Sequence, residues 1–232
     1  SIIKTPLVYS PTISQMVNAD VFLKLENLQK TGSFKIRGAT NKLLIRQKDI
    51  GKNGVVAASA GNHAQGVAEA ARIMGYDATI IMPADAPESK KRRTMRSGAA
   101  IIEYDRHGED REELTRNHSK KTGAPIIHPY ENFHVIAGQG TSGLEFCLDM
   151  EAANLVPDHV LVCAGGGGLM AGITLAVKHH FPATHIHPVE PEGYDDQTRS
   201  HASGIRQSGN TNQPSLCDAI LTPMPGEASF AI

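Results

Sequence analysis

Three short segments of this chain combine residue types that can do chemistry with settings that change what those residues do. The first is Thr31-Gly32-Ser33-Phe34-Lys35-Ile36-Arg37-Gly38. Lys35 stands between two apolar side chains, in a glycine-flanked stretch that opens a helix. Apolar surroundings disfavour the ammonium form, and the neutral amine is the form that attacks an aldehyde. Taken alone, an ordinary lysine with its stem laid along apolar surface is the better reading. The second segment, Ser59-Ala60-Gly61-Asn62-His63-Ala64-Gln65-Gly66, follows a buried-looking strand and starts a helix. Helix N-termini leave backbone N–H groups free to bind an anion such as a carboxylate. Small residues let the anion approach, and Ser59, Asn62, His63 and Gln65 add polar contacts; a plain helix cap in a polar loop is the simpler alternative. The third is Gly165-Gly166-Gly167-Gly168-Leu169, again between a strand and a helix. Consecutive glycines permit left-handed backbone and bare amide donors around a phosphate. The same residues satisfy a dinucleotide fingerprint, Gly166-x-Gly168-x-x-Ala171, with Glu190 placed where a ribose-binding acid would sit, so a nicotinamide-dependent oxidoreductase is the rival reading.

The elements that must carry these segments alternate. Strands are expected at 54–58, 78–82, 99–102, 125–127, 160–163 and 186–189. Between the first two, Val67, Ala70, Ala71 and Met74 recur as the apolar face of a helix that Gly75 ends. After Cys163 a second helix places Leu169, Gly172, Ile173, Ala176 and Val177 on one face. Strand and helix in alternation predict an α/β fold with parallel sheets flanked by helices. The section from Lys90 to Lys121 is charged, reads as helical, and carries no evident chemistry; its basic run Lys90–Arg93 beside Glu88 reads as a solvated helix face.

Bulk properties exclude more than they assign. With 23 basic against 24 acidic side chains, the formal net charge is −1, which gives no field to draw in nucleic acid or an anionic membrane. No apolar run is long enough to span a membrane, and no signal-peptide layout opens the sequence. Cys147, Cys163 and Cys217 are too few and too scattered for a disulfide framework or a paired-cysteine metal site, so a reducing cytoplasm is expected.

In this order and spacing the segments resemble the fold-type II family of pyridoxal-phosphate enzymes, tryptophan synthase β-like in architecture and most similar to threonine/serine dehydratases, with serine racemase a near relative. Thr5-Pro6-Leu7, Leu23-Lys24-Leu25-Glu26-Asn27, Ile136-Ala137-Gly138-Gln139-Gly140-Thr141 and the tetraglycine loop all contribute. The resemblance implies a large cofactor-binding domain from residues 1–53 and 132–232 and a small inserted domain, 54–131, for substrate recognition. It implies that Lys35 bears pyridoxal 5'-phosphate and takes the substrate α-proton, and that Phe34 packs beside the cofactor ring. Asn62 would bond the ring's phenolic oxygen, and Gly165, Gly166, Gly167, Gly168 and Leu169 would hold the phosphate. Ser59, Asn62 and His63 would receive the substrate carboxylate. The implied reaction removes water and ammonia from a small β-hydroxy amino acid such as L-threonine or L-serine; racemase-like or hydroxyaspartate dehydratase activity is the alternative. Racemase-like members carry a second serine where this chain has Ala60, and a methyl group cannot serve as the acid/base on the opposite face. Glu190-Pro191-Glu192-Gly193-Tyr194-Asp195-Asp196 resembles the family's divalent-cation site, with Glu190, the Tyr194 carbonyl and Asp196 as ligands for Mg²⁺ or Ca²⁺. The resemblance further implies a homo-oligomer and a longer chain, with segments before Ser1 and after Ile232.

Overall fold

The computed structural model describes residues 2–209 and 214–232. An antiparallel pair, β1 (Leu7–Tyr9) and β2 (Phe22–Lys24), encloses α1 (Pro11–Val17), whose N-terminus Ser10 caps through its hydroxyl. Next come α2 (Lys35–Ile45) and the short α3 (Gln47–Ile50). The chain then alternates through β3 (Val55–Ala58), α4 (Asn62–Met74), β4 (Ala78–Pro83), α5 (Glu88–Arg96), β5 (Ala100–Tyr104) and α6 (Arg111–Thr122). It continues with α7 (Phe133–Ala152), β6 (His159–Cys163), α8 (Gly168–His180), β7 (His185–Val189), α9 (Asp196–Ser203) and α10 (Glu227–Phe230). Strands β3, β4 and β5 form one parallel sheet in that order, and β6 and β7 form a second parallel pair.

Side-chain alternation along β3 sends Val55 and Ala57 to one face of the three-stranded sheet and Val56 to the other. On the first face they join Ile36, Ala39 and Leu43 of α2, Ala64, Val67 and Ala71 of α4, and Ile80 and Met82 of β4. On the second, Val56 meets Ile81, Tyr104, Ala124 and Leu114 of α6. Burial on both faces is why β3 is apolar throughout, whereas the edge strand β5 is largely exposed and carries Glu103. A third cluster, Cys147, Met150, Val177 and Phe181, joins α7 to α8.

The charged section from Lys90 to Lys121 is helical, as α5 and α6, on either side of the strand expected at 99–102, which is β5. One expectation needs correction. The run 125–127 forms no strand, only a single parallel bridge of Ile126 to Val56. The ladder stops because the next acceptor, the Ile127 carbonyl, is taken by the His63 ring, and the next donor position is Pro129, which has no N–H.

Helices α4, α2, α7 and α8 stack in that order through glycine contacts. A methyl group on Gly66 would stand 3.0 Å from the Lys35 carbonyl carbon, and one on Gly138 would stand 2.6 Å from Gly38 Cα. One on Gly172 would stand 2.5 Å from the Ile136 carbonyl oxygen. These approaches fix where the N-termini of α2, α4 and α8 lie, and those termini carry the three chemical segments.

Candidate active site

Lys35 is the first residue of α2, and its backbone N–H is held by the Ser33 hydroxyl at 3.2 Å. Its ammonium nitrogen donates to the Pro129 carbonyl at 3.1 Å and lies 5.3 Å from the Phe34 ring centroid. Burial pushes the amine down from the ordinary lysine value to about 8, with the neighbouring Cys163 thiol pulling weakly the other way. Two residues on, Arg37 is fully buried and makes paired hydrogen bonds at 2.8 Å to both Glu26 and Glu145. Burial opposes its charge, and the bonds to the two carboxylates outweigh that, so the guanidinium stays ionised. Lys24 bridges the same Glu145 and the Thr5 carbonyl. The Thr5-Pro6-Leu7 and Leu23–Asn27 segments are thus the anchor of the α2 N-terminus.

The loop from Ser59 to Gly66 leaves β3 with Ser59 N–H on the Ile81 carbonyl, while the Ser59 hydroxyl accepts from Gly61 N–H at 3.1 Å. Asn62 opens α4 and is exposed. His63 differs from the expectation for its side chain. Its ring is buried and its Nε2 is bonded to the Ile127 carbonyl at 2.7 Å. Burial, helped by the positive charge of Lys35, holds its pKa at about 3, so the ring is neutral. With Nε2 committed as a donor, Nδ1 faces inward as an acceptor without a partner among the described residues, and an acceptor does not bind a carboxylate. What remains for an anion here is the Ser59 and Asn62 side chains and the first-turn N–H groups of α4.

In the glycine loop the carbonyls are held from outside. Gln197 Nε2 donates to the Gly165 carbonyl at 2.5 Å, and the Gly166 carbonyl accepts from Ser229 Oγ at 2.6 Å and Gly226 N–H at 3.1 Å. Gly167 is left-handed at φ 86° and caps α8. A side chain on Gly166 would overlap the Tyr130 ring, 2.4 Å away. Among the described residues no N–H of Gly165 to Leu169 has an acceptor. Five free donors ending on a helix N-terminus are the donor set a phosphate requires.

The segment 127–131, which carried no chemical reading in the sequence, joins all three sites. The Ile127 carbonyl takes His63, the Pro129 carbonyl takes Lys35, and Tyr130 underlies the glycine loop. Its turn is closed by His128 Nδ1, which accepts from Glu131 N–H at 2.8 Å. The one signal available was His-Pro-Tyr, a proline between two rings at the end of an apolar run.

The acidic segment has a structural duty of its own. Glu190 accepts the Gln197 N–H at 2.7 Å, and the Thr198 N–H and hydroxyl at 2.9 and 2.8 Å, capping α9. Glu190 is thus first a helix cap, with about one lone-pair site left over. Tyr194 and Asp196 are buried, and Asp196 Oδ2 has no partner among the described residues. Burial and then the charge of Glu190 push the Asp196 carboxyl up to about 6. No three His, Cys, Asp or Glu side chains among the described residues gather where they could hold a metal ion. Nor is any described helix long and apolar enough to cross a membrane.

Residues 1–232 match the family described as pyridoxal-phosphate dependent enzyme. The chain is 43% identical over 229 residues to the L-threonine ammonia-lyase of Thermotoga maritima, covering 99% of this chain and 56% of that protein. It is 42% identical to the serine racemase of Schizosaccharomyces pombe, covering 99% and 69%. Among solved structures, the T.th. threonine deaminase superposes with a TM-score of 0.91 at 40% identity, covering 99% of this chain and 73% of that one. Maize serine racemase superposes with a TM-score of 0.92 at 36% identity, covering 99% and 68%. The chain therefore spans little more than half of the first of these relatives.

Proposed function

The chain belongs to the pyridoxal-phosphate dependent enzyme family, with the fold of fold-type II, and from that premise we propose that it removes water and ammonia from a small β-hydroxy amino acid such as L-threonine or L-serine. The observation that carries this reading is the gathering of a depressed lysine amine, a helix N-terminus and a donor-lined glycine loop around residues 127–131. When bound, pyridoxal phosphate supplies the electron sink that makes the α-proton removable. Lys35 is the base that takes that proton, and an amine with a pKa of about 8 is matched to the task. The N–H groups of Gly165 to Leu169 would hold the phosphate, Phe34 would pack beside the cofactor ring, and Asn62 would bond the ring's phenolic oxygen. Ser59, Asn62 and the backbone at His63 orient the substrate carboxylate.

Threonine ammonia-lyases and serine racemases are both among the relatives, and Ala60 favours elimination. Its methyl group packs toward the core cluster of α2 and α4 and can neither donate nor accept a proton. Incubation with L-serine is expected to yield keto acid far faster than D-serine, read by chiral chromatography. D-serine formation at rates rivalling keto acid would overturn the assignment; Ala60→Ser is expected to raise racemisation.

We also assign Mg²⁺ or Ca²⁺ to Glu190, the Tyr194 carbonyl and Asp196, with water completing the shell. A carboxylate offers roughly four lone-pair sites; Glu190 uses three of them on α9, which leaves one, and the buried Asp196 Oδ2 is unpartnered. A hard cation would satisfy both oxygens and tie β7 to α9. Chelation is expected to lower the melting temperature, and added cation to restore it, with Asp196→Ala abolishing the response. Indifference of the wild type to both treatments would leave only an acidic loop. The free cysteines fit a reducing, cytoplasmic setting.

A further inference from the structure

We propose that Gln197 is a positioning residue for the phosphate loop, holding the Gly165–Gly166 peptide in the one orientation that turns its N–H toward the anion. The argument rests on the reading of Gly165 to Leu169 as the phosphate site, and it starts from the peptide plane. In a trans peptide the C=O of one residue and the N–H of the next point in opposite directions, so fixing the carbonyl fixes the amide. The peptide between Gly165 and Gly166 is flanked on both sides by residues without Cβ, so steric exclusion does little to prevent it from flipping. Something outside the loop must choose the orientation.

Gln197 is that choice. Its Nε2 donates to the Gly165 carbonyl at 2.5 Å across 32 residues of sequence, directing the Gly166 N–H the opposite way. The next peptide is fixed by the same logic, because the Gly166 carbonyl is held by Ser229 Oγ and Gly226 N–H. Gln197 is itself placed firmly: its own N–H is bonded to Glu190 Oε1 at 2.7 Å at the start of α9. Its amide nitrogen also lies close under Gly167, where an added methyl group would meet it at 3.2 Å. The carbonyl side of the loop is therefore occupied by fixed donors, and the amide side is left without protein acceptors among the described residues. Among the described residues the Gln197 amide is hydrogen-bonded neither to Lys35 nor to the α4 N-terminus.

The test separates the phosphate from the rest of the cofactor. Cofactor-free full chain is titrated with pyridoxal phosphate and, separately, with pyridoxal, which has the aldehyde and no phosphate. Gln197→Met keeps the length of the side chain and removes the donor; Gln197→Glu at neutral pH places an acceptor against the Gly165 carbonyl. For Gln197→Met the affinity for pyridoxal phosphate is expected to fall roughly three- to tenfold, the size of one net hydrogen bond. Pyridoxal affinity should stay within about twofold, and Gln197→Glu should be worse than Gln197→Met by the same measure. The ³¹P resonance of the bound phosphate should shift in both variants. Equal losses for the two ligands, with a lowered melting temperature, would make Gln197 a merely structural residue and overturn the proposal. Unchanged phosphate affinity would overturn it as well. A wild type that binds pyridoxal as well as pyridoxal phosphate would instead remove the phosphate site itself.

Discussion

Lys35 shows how much one residue's chemistry depends on its surroundings. In water its amine would be almost entirely protonated at neutral pH, and burial beside Phe34 brings its pKa to about 8. The neutral form is the nucleophile, so the rate at which cofactor-free protein recaptures pyridoxal phosphate should climb with pH and level off above about 8. Below that point it should fall about tenfold per pH unit, since protonation removes the reactive form. A midpoint near the unperturbed lysine value, about 10.4, would mean that the amine is solvated. Lys35→Ala should abolish turnover of every amino-acid substrate, and turnover near wild type would take Lys35 out of the mechanism. His63 carries the opposite lesson: its neutral ring is spent inward on the Ile127 carbonyl, so a residue that looks like a ligand in the sequence acts as a brace.

At the scale of elements, position is set by where helices can touch. Helices α7 and α8 meet backbone to backbone at Gly140 and Gly172, and α2 meets α7 at Gly38 and Gly138. The Gly138-Gln139-Gly140 run is therefore a contact surface, with the buried Gln139 also accepting the Gly38 N–H at 3.1 Å. Gly172→Ala would drive a methyl group to 2.5 Å from the Ile136 carbonyl oxygen, which is backbone and cannot rotate away. Separating α8 from α7 should cost about 1–3 kcal/mol of stability and displace the glycine loop that α8 begins. Urea unfolding with a parallel titration of pyridoxal phosphate checks both halves. Wild-type stability in that variant would show that the crossing relaxes freely.

For the whole molecule, we propose a division into 1–53 with 132–232 and an inserted 54–131; β3, β4 and β5 lie within 54–131. Core packing complicates a simple hinge. Ile36, Ala39 and Leu43 of α2 share one cluster with the inserted sheet. The ion pairs Lys90–Asp218 and Lys30–Glu69 also join the insert to its flanks; the first is exposed and contributes roughly 0–1 kcal/mol, while the second has a buried carboxylate. We propose that substrate binding would rotate the insert slightly about α2 and move the Ser59–Gly66 loop, since α2 shares its apolar centre. An unreactive amino-acid analogue added to holoenzyme should slow amide exchange across 59–66 and 128–132 and leave β3 and β4 unchanged. Exchange in the loop that ignores the analogue would argue for a rigid site.

What the sequence determined by itself was local. β-branched runs located β3 to β7, the apolar recurrence and Gly75 located α4, and the order of the motifs identified the family. These follow from periodicity and residue type, which act over a few residues. The tertiary structure decided the rest, because it depends on contacts between distant parts of the chain. The Lys35 amine meets the Pro129 carbonyl 94 residues away, and Arg37 meets Glu145 across 108. The strand expected at 125–127 failed because His63 took its next acceptor and proline removed its next donor. Gln197 belongs to none of the motifs tied to the phosphate loop, and it reaches Gly165 only because Glu190 fixes the start of α9. A hydrogen bond needs its two groups within about 3 Å, and which groups come that close is a property of the packed chain.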